Sequence, residues 1–472
     1  VVFSSIIFLV YFFPVFLLLY FLTPVRYKNY TALVGSVFFY AWGAPKFIFV
    51  VLAVLVIDFY LGNKIYESAG KRKKLYLFAS IAINVGMLLY FKYANFFVDN
   101  LNFVLGHAGM EPVGWTRIML PLGISFFTFQ EMSYAVDIYR GEHKPLKKFS
   151  DYMLFIFMFS HLIAGPIVTY HVLADDIVDR RKKLNDNYRM AGLFRFMIGL
   201  ARKVLIANTL GEVADHIFAA PVENLTSADC WLGAIAYTFQ LYFDFAGYSD
   251  MAIGIGKLMG FDFPENFMNP YISGSITEFW KRWHMTLGQW MRNYLYIPLG
   301  GNRLGAGRTY FNLWVVFLIS GFWHGASWTF VIWGAYHGFF MVIERLFPEN
   351  PQQRIMHYVR VPFTFIIVVF GWVLFRAATF SQAFSFIARM INIHSLNLSD
   401  THDLRFKTTL LFAVVCSFAA LIPSWETVQQ KIYAVQNRMP VLFTFSVSLI
   451  LFFLSLSQIA ASRFNPFIYF RF

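Results

Sequence analysis

The residues best suited to chemistry are two histidines in apolar surroundings, His324 and His284. Thr309–Ile343 reads TYFNLWVVFLISGFWHGASWTFVIWGAYHGFFMVI, 35 positions without an Asp, Glu, Lys or Arg. That exceeds the ~20 apolar residues a helix needs to cross a bilayer. Yet His324 and His337 lie inside it. A full charge at membrane depth costs roughly 2.5–3.5 kcal/mol on insertion scales, so each imidazole should face a polar cavity or have a partner. Gly321, Gly325, Gly334 and Gly338 flank the two histidines, and glycine lets a second backbone or a ligand come close. Histidine is the usual general base near neutral pH. Acyl transfer to a hydroxyl needs such a base, with donors for the developing oxyanion. The alternative is a histidine that only hydrogen-bonds across helices; His337 is assigned a structural role, as a partner in helix packing.

His284 lies in Glu278–Tyr296, EFWKRWHMTLGQWMRNYLY. Trp280, Trp283, His284, Leu287, Trp290, Met291 and Tyr294 fall at i, i+3, i+4 spacing, which predicts one amphipathic helix at the membrane interface. His284 is the polar member of its aromatic face. It either snorkels its tip to the interface or looks into a pore near His324. No Gly-x-Ser-x-Gly elbow, Walker loop or His-Glu-x-x-His pattern is visible, so neither an acyl-serine nor a metal is expected. Trp323 and Trp283, each preceding a histidine, are candidate tunnel-lining residues. Asn266 and Asn269 are either tunnel residues or turn residues beside Pro264 and Pro270. Asp244, Tyr248 and Asp250 line a cavity or cap broken helices.

The elements that must hold these groups are membrane helices. Of 472 residues, 58% are hydrophobic and 14% charged, against roughly 25% charged in soluble domains. Continuous apolar runs exclude a β-barrel, whose strands alternate. The fold class is all-α, a polytopic membrane protein of about 11 spans. The net charge of +13 sits partly in short basic loops, Lys71–Lys74 and Arg180–Lys183, and reads as cytoplasmic loops facing headgroups, not as a nucleic-acid surface. Cys230 and Cys416 form no framework. The first apolar run, Val2–Leu22, reads as a retained span kinked at Pro14. Leu75–Phe91 is a clean span and Phe96–Leu105 a weaker stretch. Pro121–Gln130 is too short to cross and reads as re-entrant. Met190–Ile206 is interrupted at Arg202-Lys203. Trp231–Phe245 and Met251–Phe261 are separated by Asp244, Gly247 and Asp250, which predicts unwound backbone against an internal cavity. Val361–Phe375, Leu410–Ile422 and Val441–Leu456 are plain spans. One integral-membrane domain, 1–472, follows: amino-terminal helices 1–110, a core 118–346 with both histidines, and carboxy-terminal helices 357–472.

Several stretches together carry a family resemblance: YFDFAGYSDMAIG at Tyr242–Gly254, FPENFMNPY at Phe263–Tyr271, EFWKRWH at Glu278–His284, YLYIPLGGNR at Tyr294–Arg303, WHGA at Trp323–Ala326, WVLFRA at Trp372–Ala377 and FIYFRF at Phe467–Phe472. The chain resembles the membrane-bound O-acyltransferase (MBOAT) family, in the branch of alginate O-acetyltransferases, with kinship to the D-alanyl transfer proteins of teichoic acid synthesis. The resemblance implies a ring of tilted helices around a funnel, with His324 catalytic and His284 the second family histidine. It also implies an acyl donor on the cytoplasmic side, acetyl-CoA or an acyl carrier thioester, with no bound cofactor. An extracytoplasmic SGNH-type transferase or esterase would be the partner, an exopolysaccharide the acceptor, and the bacterial inner membrane the location. Ser160-His161 departs from the usual Pro-Gln. The competing classes are a transporter of a lipid-linked sugar and a non-catalytic scaffold of an export complex. Paired broken helices in two similar halves, the mark of the former, are not apparent.

Overall fold

Helices are the only regular elements among the described residues, which are 2–347, 354–392, 396–399, 402–434, 441–462 and 464–466 of this computed structural model. Inside a bilayer, backbone polar groups must be satisfied within the segment, and an α-helix does this. Among the described residues five helices are long and apolar enough to cross: Ile48–Glu67, Gly70–His107, Tyr358–Arg376, Leu404–Leu421 and Val441–Ala461. The chain is an all-α polytopic membrane protein. The expectation of about 11 spans counts shorter runs and helices that carry charged side chains.

The chain divides into two units. One is Leu9–Leu184 with Met259–Pro264. Here Pro14 lies inside one continuous helical run, Ile7–Leu22, and the residues just before it, Ile7–Phe12, are π-helical, a local change of hydrogen-bond pattern next to a residue that lacks an N–H. Leu75–Phe91 and Phe96–Leu105 belong to one 38-residue helix, Gly70–His107, joined through a π-helical turn at Leu89–Tyr93. Pro121–Gln130 does not stand alone as a ten-residue piece. It opens the helix Ile124–Arg140, bounded by left-handed Gly123 (φ 78°) and Gly141 (φ 77°). The apolar run stops at Glu131, but the helix buries Glu131 and continues through Tyr134 and Ile138. Buried Asp58 accepts from Ser80 Oγ (2.7 Å) and Asn84 Nδ2, which ties Ile48–Glu67 to the next helix. Buried His161 bonds through Nε2 to the Phe155 carbonyl (3.1 Å) and meets the Phe263 ring edge-on.

The other unit comprises Val2–Phe8, Asn185–Leu258 and the described residues from Glu265 onward. The interruption expected at Arg202-Lys203 is a π-helical segment, Arg202–Ala207, between the helices Asp186–Ala201 and Asn208–Ala219. The unwinding expected at Asp244–Asp250 does not occur. Ser227–Met259 is one continuous helix of 33 residues. The two carboxylates at its centre are matched by cations from the neighbouring segment: Asp244 by Lys203 (2.5 Å), Asp250 by Arg195 (2.6 Å) and Arg202 (2.5 Å). Glycines let the backbones touch at the same seam. A Cβ on Gly247 would lie 2.7 Å from the Gly199 carbonyl oxygen, and one on Gly254 2.7 Å from that of Gly192. Small residues and polar pairs are the usual adhesives between membrane helices. Asp250→Asn should therefore destabilise, by about 3 kcal/mol, because half-buried Arg202 loses its carboxylate and buried Arg195 is left with Glu265 alone. Thermal unfolding in detergent would read this, and a melting curve like that of the parent chain would refute it.

Val361–Phe375 and Val441–Leu456 lie within the helices Arg354–Arg376 and Val441–Ala461. Leu410–Ile422 corresponds to Leu404–Phe418 with a short 3₁₀ turn after it. Both cysteines are free. The Phe467–Phe472 stretch lies outside the described residues.

Candidate active site

The long uncharged run folds as two helices, Ala306–His324 and Trp328–Leu346, joined at Gly325-Ala326-Ser327. They cross where Gly321 and Gly334 meet. A Cβ on Gly321 would stand 2.3 Å from the Phe330 carbonyl oxygen, and one on Gly334 2.3 Å from that of Phe317. Gly321, one turn before His324, thus serves backbone approach, while Gly325 leaves room for the Phe330 ring. His324 is the last residue of its helix, buried among rings at centroid distances of 5.0 Å (Trp323), 5.2 Å (Trp333) and 5.3 Å (Phe375).

The expected single amphipathic helix is broken at the second histidine. Ile276–Arg282 ends, Trp283 is extended, His284 is left-handed (φ 45°, ψ 51°), and Met285–Trp290 begins. A non-glycine residue in that region costs on the order of 1–3 kcal/mol. Groups far from the motif in sequence offset it. The Asn266 carbonyl accepts from Met285 N (2.9 Å), and Met268 N donates to the Arg282 carbonyl (2.9 Å). Asn266 Oδ1 accepts from Thr286 Oγ1 (2.8 Å) and receives the His284 Nδ1 contact at 3.0 Å. Glu344 accepts from the Ile276 and Thr277 amides (2.5 and 2.8 Å) at the start of the first short helix, a favourable place for a carboxylate.

This network sets the imidazole tautomer. Asn266 Nδ2 donates to Ser249 Oγ (3.0 Å), and the Thr286 amide reaches Oδ1 (3.4 Å), so the oxygen faces His284. Nδ1 therefore carries the hydrogen and Nε2 keeps a lone pair. Nε2 is buried and has no hydrogen-bond partner among the described residues. His284 borders a cavity of about 820 Å³ whose walls include Thr277, Trp280, Ser320 and Phe317, with Lys281, Arg292, Arg303 and Arg345 adding positive charge. The Trp323 ring neighbours both histidines, 6.3 Å from His284 and 5.0 Å from His324. His324 is not in the cavity wall. Ser320, one turn earlier on its helix, is.

The remaining sequence-derived candidates are dispersed. Trp283 packs in the core against Trp372 (4.7 Å) and Phe267 (5.0 Å). Asn269, also left-handed (φ 47°), donates to Gln429 Oε1 (2.9 Å) and borders a different cavity with Arg202 and Phe412. Tyr248 stacks on Phe3 (4.6 Å), and Asp244 and Asp250 are held in ion pairs. None of these three borders either cavity. His337 is enclosed by Trp280 (5.0 Å) and Trp333 (5.1 Å). Ser249, Thr286, Glu344 and Arg345 carry no signal in the sequence. No spacing links Ser249, Glu344 or Arg345 to His284, and Thr286, two positions after it, matters only through Asn266, 20 positions earlier. Asp137, Glu142 and His171 could converge on a metal ion in the other unit. Asp137 there accepts from the His171 amide (3.1 Å) and Nδ1 (3.2 Å).

The sequence model of the family described as MBOAT, membrane-bound O-acyltransferase, matches residues 139–381. A protein of Pseudomonas putida named "Probable alginate O-acetylase AlgI" is 41% identical over the whole of both chains. The peptidoglycan O-acetyltransferase of Helicobacter pylori is 35% identical over 84% of this chain and 81% of its own. The teichoic acid D-alanyltransferase of Bacillus subtilis is 28% identical over 55% of this chain and 69% of its own.

Proposed function

The chain belongs to the membrane-bound O-acyltransferase family, and on that premise we propose that it is an O-acetyltransferase acting on a cell-surface polysaccharide. The observation that carries this reading is His284 Nε2, a buried lone pair of set tautomer in the wall of a basic cavity. The names of the relatives, an alginate O-acetylase and a peptidoglycan O-acetyltransferase, support a polysaccharide as the final acceptor.

In this reading the cavity takes a thioester donor from the cytoplasm, acetyl-CoA or an acetylated carrier protein. Lys281, Arg292, Arg303 and Arg345 suit its phosphates, since cations pair with phosphate through charge-assisted hydrogen bonds. His324 accepts the proton of the attacking hydroxyl as its oxygen bonds to the acyl carbon. The tetrahedral species collapses, the carbon–sulfur bond breaks, and the leaving thiolate takes up the proton that His324 accepted, which restores the neutral imidazole. His284 orients the acyl group. An extracytoplasmic SGNH-type transferase then moves the acetyl group from this ester to a polysaccharide hydroxyl, which breaks the first ester bond and frees the first hydroxyl, and the chain sits in the bacterial inner membrane.

The test uses the full chain in membrane vesicles with radiolabelled acetyl-CoA, reading free thiol release and acetyl transfer. Asn266→Ala removes the acceptor that holds His284 Nδ1–H. Turnover should fall about 100-fold, the cost of misplacing a reacting group by an ångström, with the protein still in the membrane. Thiol release at the parent rate in this variant would overturn the role of His284. No thiol release by the parent chain from either acetyl-CoA or an acetylated carrier would overturn the donor reading.

A further inference from the structure

The unit built on Leu9–Leu184 buries a cation that acyl transfer does not use. Arg180 is only 7% exposed. Its Nε donates to the Met259 carbonyl (2.9 Å), Nη1 to Asn29 Oδ1 (2.5 Å) and the Asp176 carbonyl (3.4 Å), and Nη2 to the Tyr20 hydroxyl (3.0 Å). The guanidinium also lies 4.0 Å from the centroid of the Phe261 ring. All four oxygens are uncharged. The nearby Asp176 carboxylate is instead engaged by Lys183 (2.6 Å). Among the described residues Arg180 thus has no carboxylate partner, and of its five N–H donors one on Nη2 is uncommitted. A buried charge without a counter-charge is costly, so the arrangement fits an anion supplied from outside the chain.

Arg180 borders a cavity of about 1070 Å³ walled by 25–30, 142–148 and 170–184. Seven basic and four acidic side chains line it, and one of the acids, Asp179, is held by Arg181 at 2.6–3.1 Å. Lys147 and Lys148 are exposed at its edge. Large apolar side chains are exposed in the same lining: Val25 at 51%, Tyr30 at 45% and Val178 at 75%. A soluble anion has no use for these. A lipid does. Exposed Leu18, Leu19 and Leu22 continue the apolar surface along the adjoining Phe13–Leu22 helix.

We propose that this cavity binds the phosphate headgroup of an anionic phospholipid, with Arg180 buried in its wall and Lys147 and Lys148 at its mouth. Basic pockets beside membrane helices are suited to such headgroups. The cavity shares no residue with the one at His284, so the inference stands apart from the proposed catalysis.

The test is native mass spectrometry of the full chain in detergent, titrated with dioleoyl phosphatidylglycerol, with dioleoyl phosphatidylcholine, and with phosphatidylglycerol plus inorganic phosphate. Phosphatidylglycerol should be retained at a concentration at least about 10-fold lower than phosphatidylcholine. The double variant Lys147→Gln/Lys148→Gln, whose side chains are exposed and should not affect folding, should weaken retention about 30-fold. Arg180→Gln should weaken it further where the chain still melts cooperatively. Equal retention of the two lipids, or a double variant that binds like the parent, overturns the proposal. So does complete displacement by millimolar phosphate, which would make the ligand a free phosphate.

Discussion

His324→Ala is expected to abolish acetyl esters on the cell's exopolysaccharide while the protein remains at normal level in the membrane. In vitro its turnover should fall about 10²–10⁴-fold, the usual worth of a positioned general base. The geometry makes this a clean experiment in one respect. His324 ends a helix and is followed by extended Gly325, so no helical interior is disturbed. Truncation does leave a gap among Trp323, Trp333 and Phe375, and His324→Gln should accompany it as a variant that fills more of the space. Loss of transfer in both, with unchanged melting, assigns the effect to chemistry. Retained acetylation in either variant would return His324 to a packing role and favour transport or scaffolding for the chain.

The second large effect is structural and concerns Gly334→Ala. The added methyl would meet the Phe317 carbonyl oxygen at 2.3 Å, with the Gly321 Cα at 3.3 Å. Both obstacles are backbone and cannot rotate away. The helices Ala306–His324 and Trp328–Leu346 would have to separate, at a cost at or above the ~3 kcal/mol top of the usual overpacking range. Gly338→Ala is the control, because its nearest neighbour is the Phe317 Cβ at 3.3 Å. Detergent melting curves should show Gly334→Ala unfolded or far less stable and Gly338→Ala close to the parent. Two similar curves would show that the crossing can open freely.

Residue type alone makes both histidines legible, because an imidazole within apolar sequence has few purposes. The break at His284 is not legible. Its helical spacing is good from Trp280 to Tyr294, and what bends it there is Asn266, some twenty positions earlier. The carboxylates of Ser227–Met259 mislead in the opposite direction. Asp244 and Asp250 look like helix breakers in isolation, but Lys203, Arg195 and Arg202 complete them, and a pair more than 40 residues apart leaves no periodic trace. Pro121–Gln130 looks short because apolarity is counted along the chain, whereas burial is decided around the helix.

The sequence alone determined that this chain is helical, lives in a membrane and carries its candidate chemistry on histidines. Those properties follow from composition and from local runs, since an apolar stretch must satisfy its own backbone wherever it goes. Only the tertiary structure decided which nitrogen of His284 keeps a lone pair, which glycines are crossing points, and that Arg180 is buried with no carboxylate partner among the described residues. Each depends on groups that the fold brings together from distant positions, and hydrogen bonds and counter-charges act over ångströms whatever the sequence separation.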